Sequence, residues 1–128
     1  MADQPLAYPA IVVATRGAVL REKPDQVRRV VTSLIEAIAF FKQEREQTEA
    51  ILKTHTATDD PAILRATWEV YAPHFERVPL LTEAVLQLAI DEAAEENPRA
   101  REVVPASAID MRFVRELQES GKIDAMYR

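Results

Sequence analysis

Few side chains in this sequence invite chemistry. Thr15 and Arg16 follow an apolar run, Ala10–Ile11–Val12–Val13–Ala14. The end of such a run is where open α/β folds place ligand contacts. Arg16 suits an anion, because its guanidinium presents a fixed fork of donors. The plainer reading is a polar pair at the surface end of a strand. His55 and His74 are the only histidines, and neither has a carboxylate or a second histidine at ligand spacing. A zinc or iron site needs three or four converging donors. Asp91, Glu92, Glu95 and Glu96 form two like-charge pairs four residues apart. Hard-cation sites usually gather their oxygens from a tight loop, so a solvated helix face is the simpler account. Ser33, Ser107 and Ser120 lack a nucleophile elbow, and two histidines without context do not make a triad. Trp68, Tyr71 and Phe75 are three and four residues apart, which is the spacing of a core stripe more than of an aromatic ligand box. There is no cysteine, which excludes disulfides, thiolate metal sites and a thiol nucleophile. Thr15 and Arg16 therefore stand as the candidate ligand-binding pair. No catalytic residue, metal ligand or cofactor is expected, and the chain is not read as an enzyme.

The elements that would hold these residues are mainly helical. The 128 residues suffice for one domain, 1–128, and 48% hydrophobic with 29% charged residues is an ordinary globular balance. A net charge of −5 speaks against nucleic-acid binding through a basic patch. Only Gly17 and Gly121 are glycines, so phosphate-cradling glycine loops are absent and tight hairpins are not expected. No apolar run approaches the ~18–20 residues of a membrane span. The opening MADQPLAYPA has no basic start followed by an apolar core, so it does not read as a signal peptide. The compartment stays open.

The dominant stretch is Pro24 to Phe41. Val27, Val30, Val31, Leu34, Ile35, Ile38 and Phe41 follow the helical spacing of one wide apolar face. Just before it, Ala10–Ala14 reads as a short strand buried on both faces, yet no second strand of similar quality follows to satisfy its backbone groups. Residues 16–22 read as one or two helical turns, and 43–54 as a shorter, charged surface helix. Asp60 and Pro61 start a helix ending near Ala72 at Pro73. Thr82 caps another that turns Val85, Leu86, Ala89, Ile90 and Ala93 inward and stops at Asn97-Pro98. Residues 99–105 read as a linker. A last helix carries Met111, Val114 and Leu117 to a left-handed stop at Gly121, and Ile123, Met126 and Tyr127 form an apolar final turn. This amounts to five or so helices with one short N-terminal strand.

The order of several segments resembles a known family. Ile11-Val12-Val13-Ala14-Thr15-Arg16 comes first, then Leu20–Asp25, Glu36–Lys42, Thr58-Asp59-Asp60-Pro61 and Tyr71-Ala72-Pro73-His74. Asp110–Leu117 with Glu119-Ser120-Gly121 and Ile123-Asp124 follows. Together they are similar to the C-terminal portion of ABC-transporter solute-binding proteins of the nitrate/sulfonate/taurine type, related to the thiamine-pyrimidine synthase-like proteins. The resemblance implies a fragment of a type II periplasmic-binding-protein-like α/β fold, whose strand at 10–14 belongs to a sheet supplied by the rest of such a protein. It implies a truncated domain that does not bind substrate alone, with a stand-alone anion-binding module at Thr15 and Arg16 as the alternative. Covering the apolar surface would call for a homodimer through residues 10–41, with an ABC permease or the missing lobe as further partners. No nucleic acid and no membrane insertion are expected.

Overall fold

A computed structural model describes residues 11–128. It is 73% helix with no strand among the described residues. The helices are α1 (Gly17–Glu22), α2 (Pro24–Gln43), α3 (Arg45–His55), α4 (Pro61–His74), α5 (Glu83–Glu96), α6 (Pro105–Ala108), α7 (Arg112–Glu119) and α8 (Lys122–Ala125), with a 3-10 turn at Pro98–Glu102. The expected N-terminal strand and the α/β fold are thereby overturned. Ala10 lies outside the described residues, as does the leader expected over Met1 to Pro9. Residues 11–14 belong to no strand and are exposed. The reason is physical. A strand needs a neighbour for its N–H and C=O groups, and no second strand exists among the described residues to provide it.

The chain divides into two compact units. The described part of one comprises residues 11–23 and Leu80–Arg112. Its main element is α5, opened by Thr82, whose side-chain oxygen accepts from the Val85 N–H at 3.3 Å. The buried stripe of α5 is Ile90 and Ala94. Ala93, expected inward, is exposed, because the covered row advances in four-residue steps from half-buried Leu86. The stretch 99–105, expected as a linker, starts instead with an ordered turn. Asn97 Oδ1 accepts from the Arg99 N–H at 3.2 Å, and the 3-10 turn folds back on α5. Asp110 accepts from the Arg112 N–H at 3.2 Å and fixes the entry to α7.

The other unit comprises Pro24–Pro79 with Phe113–Arg128. Its buried side chains are Ile35 and Ala39 of α2, Thr48 of α3, Leu64 and Ala72 of α4, Phe113, Val114 and Leu117 of α7, and Ile123 of α8. Polar interlocks tie the helices together. Trp68 Nε1 donates to the Phe41 carbonyl at 2.7 Å. Lys42 Nζ donates to the carbonyls of Ala72 at 2.5 Å and Phe75 at 2.7 Å. Ala72 lies in the last turn of α4 and Phe75 is its C-cap, so these carbonyls have no partner within the helix. Pro73 does not end α4 as expected, and the helix runs on to His74. Its missing N–H removes one intrahelical bond, and only His74 follows it in the helix. Phe41 and Phe75 meet edge to face at 5.2 Å.

The end of the chain is clasped onto this unit. Gly121 takes φ 72°, the left-handed conformation that turns α7 into α8. Gln43 Nε2 donates to the Met126 carbonyl at 2.7 Å. The Arg77 guanidinium lies 4.2 Å above the Tyr127 ring. The Tyr127 hydroxyl is buried without a hydrogen-bond partner. Burial pushes its pKa up from 10.0, against the pull of Arg77. A tyrosine whose folded pKa lies above its unfolded value stabilises fully below the unfolded value and loses that contribution as pH rises through the folded one. Stability should therefore fall as pH climbs past 10.0. In Tyr127→Phe that alkaline slope should flatten while stability at neutral pH is kept, because no hydrogen bond is lost. Urea midpoints of both proteins across alkaline pH provide the check, and an unchanged slope would refute it.

Candidate interaction surface

Thr15 and Arg16 stand just ahead of α1. Both side chains are exposed. Arg16 precedes α1 in extended geometry, φ −82° and ψ 145°, and its carbonyl accepts from Val19 and Leu20. Its side chain makes no capping bond. The other chemical candidates are equally separate. His74 Nδ1 sits 2.5 Å from the carbonyl of Val70 in its own helix, and His55 is exposed at the end of α3. Ser107 and Ser120 donate to nearby backbone carbonyls. Asp91, Glu92, Glu95 and Glu96 face solvent along α5. Among the described residues no cluster of His, Asp or Glu is placed to hold a metal ion. Trp68 and Phe75 are half-buried packing residues, while Tyr71 is largely exposed.

The α2–α3 pair carries a different kind of feature. An open groove of about 220 Å³ lies between these helices, lined by Ala37, Phe40, Phe41, Thr48, Ile51 and Leu52. The groove exists because both helices carry adjacent apolar residues, Phe40–Phe41 and Ile51–Leu52. Neighbours in a helix point about 100° apart, so one of each pair must turn away from the core. Phe40 and Ile51 are the outward members. Thr48 is the only polar lining residue and is 4% exposed. Its hydroxyl has no partner and is sealed from solvent, so the groove offers an occupant hydrocarbon and little else. Elsewhere on α3, Arg45 pairs with Glu49 at 2.8 Å, which holds the guanidinium above its ordinary pKa.

Sequence reasoning passed over Phe40 and Ile51 as functional positions. The visible signal was the doublet of large apolar residues within a helix. The wide apolar face expected for α2 is also only partly covered. Ile35 and Ala39 are buried, but Val30 is 47% and Leu34 41% exposed. In the other unit Ile11, Val12 and Val13 are 82%, 55% and 65% exposed. Among the described residues no helix is long and apolar enough to cross a membrane. Comparison with protein-family models, with curated proteins and with solved structures finds no match.

Proposed function

We propose that this chain is a non-enzymatic, helical module of an ABC import system of the nitrate/sulfonate/taurine type, similar to part of a solute-binding protein, and that it holds no substrate alone. The reading starts from the order of segments that resembles that family. The observation that carries its second half is the apolar surface left open on residues 11–13 and on α2. Apolar surface removed from water is worth about 25 cal/mol per Å². A surface of a few hundred square ångströms would thus reward a covering partner with several kcal/mol, roughly, on the same scale. Association, more than ligand capture, is what such a surface serves.

The test is a calorimetric titration of the full chain with nitrate, taurine and a short alkanesulfonate, beside melting curves at saturating anion. No heat and an unchanged melting temperature are expected. A ligand at 100 times its Kd would add about 2.7 kcal/mol of stability, so even modest binding would be visible. Stoichiometric heat with a raised melting temperature would overturn the claim that substrate is not held alone. Genes for a permease and an ATPase beside this one are the expected neighbourhood, and their absence would count against the import assignment.

A further inference from the structure

Met111 joins two parts of the chain that lie far apart in sequence. The Leu81 backbone N–H donates to its Sδ at 3.4 Å. Leu81 directly precedes Thr82, the cap of α5, and Met111 directly precedes α7. The two residues are 30 positions apart and stand at the two ends of the Leu80–Arg112 length of their unit. Between them run α5, the 3-10 turn and α6, and the turn and α6 both pack on α5. The bond therefore closes this length of chain at its neck. A thioether is a weak acceptor, but Leu81 lies ahead of α5, where its N–H has no helical carbonyl to turn to.

We propose that Met111 is a redox-sensitive clasp, which opens the neck of the 80–112 length when hydrogen peroxide oxidises its sulfur to the sulfoxide. The proposal goes beyond the association reading and does not rest on it. Met111 is half-buried, which leaves it within reach of an oxidant little larger than water. A lone pair on Sδ attacks one peroxide oxygen, and the O–O bond breaks. The sulfur loses two electrons and gains that oxygen. The departing hydroxide takes the proton that the oxygen carried and leaves as water. The product is a polar, chiral group in place of an apolar one. Its oxygen does not fit the present geometry. An N–H···O bond by itself spans about 2.9 Å, so the 3.4 Å between the Leu81 nitrogen and the sulfur has no room for an oxygen and its bond to sulfur. The N–H must let go of the sulfur, and the stretches around Leu81 and Met111 separate. Sulfoxide reductases reverse the step, so the clasp can be reset.

Amide hydrogen exchange at Leu81, read by NMR on the full chain, tests the clasp. A Met126→Leu background removes a second methionine by a swap of similar volume. Peptide mass spectrometry then locates the added oxygen at Met111. After treatment with hydrogen peroxide the Leu81 amide should exchange roughly tenfold or more faster, while Ile90, buried in the middle of α5, keeps its protection. Sulfoxide reductases of both stereospecificities should restore the slow rate. In Met111→Leu the Leu81 amide should exchange fast from the start and ignore peroxide. The oxidised and reduced forms of one protein carry the comparison even if Met111→Leu folds poorly. A Leu81 rate unchanged by oxidation overturns the proposal, as does a Leu81 amide that stays slow in Met111→Leu. So does a loss of protection that reaches Ile90 equally, which is unfolding and not a clasp. A Met111 that stays unoxidised under conditions that convert free methionine overturns it as well.

Discussion

Cutting Ile35 back to alanine should lower the unfolding free energy of its unit by about 3 kcal/mol, within the usual range for a buried isoleucine. Ile35 is 1% exposed, in the middle of the covered row of α2. The loss has two parts, the transfer of the removed methylenes and the cavity that rigid neighbours fail to close. Trp68 is the sole tryptophan and belongs to the same unit, so its fluorescence in a urea titration reports that unit. The same truncation at Leu34, one position earlier, should cost less than about 1 kcal/mol, because that side chain is partly hydrated already. Equal losses at the two positions would show that the covered and uncovered rows of α2 have been assigned wrongly.

The second large effect is expected at Lys42. Its ammonium group joins α2 to the end of α4 through the carbonyls of Ala72 and Phe75. Hydrogen bonds to a charged group are worth about 1.5–3 kcal/mol each, and the site is only part-buried, so Lys42→Met should cost about 2 kcal/mol in total. Methionine keeps most of the stem and its packing, which isolates the loss of the donors. The Trp68 hydrogen bond to Phe41 lies nearby, so the emission spectrum of the folded variant should also shift. A urea midpoint within error of the wild type would refute the clamp.

Features set by a few adjacent residues were legible from the sequence. Asp60 with Pro61, Thr82 and Gly121 mark helix boundaries through their own side chains or backbone, and the structure places all three as expected. The run at 11–14 was misread because β-branched residues state a preference for extended backbone, whereas a strand also requires a partner from elsewhere in the chain. Periodicity marked α2 as apolar across a wide arc, but it carries no information on which half of that arc a neighbour will cover. The interlocks at Trp68, Lys42 and Gln43 join residues 27, 30, 33 and 83 positions apart. No local pattern announces them. Thr15 and Arg16 drew notice as the end of a strand, and in the structure they precede α1 with both side chains exposed.

The second unit is assembled from two separated lengths of chain, Pro24–Pro79 and Phe113–Arg128. During synthesis its first length leaves the ribosome 34 residues ahead of Phe113 (113 − 79). At ~5–20 residues per second that is a wait of roughly 2–7 s. Through that interval Ile35 and Leu64 are without Phe113, Leu117 and Ile123, their fellow members of the unit's core. A nascent chain stalled before residue 113 should thus present a sticky, half-built bundle to chaperones, and the arrival of residues 113–128 becomes the step that releases it.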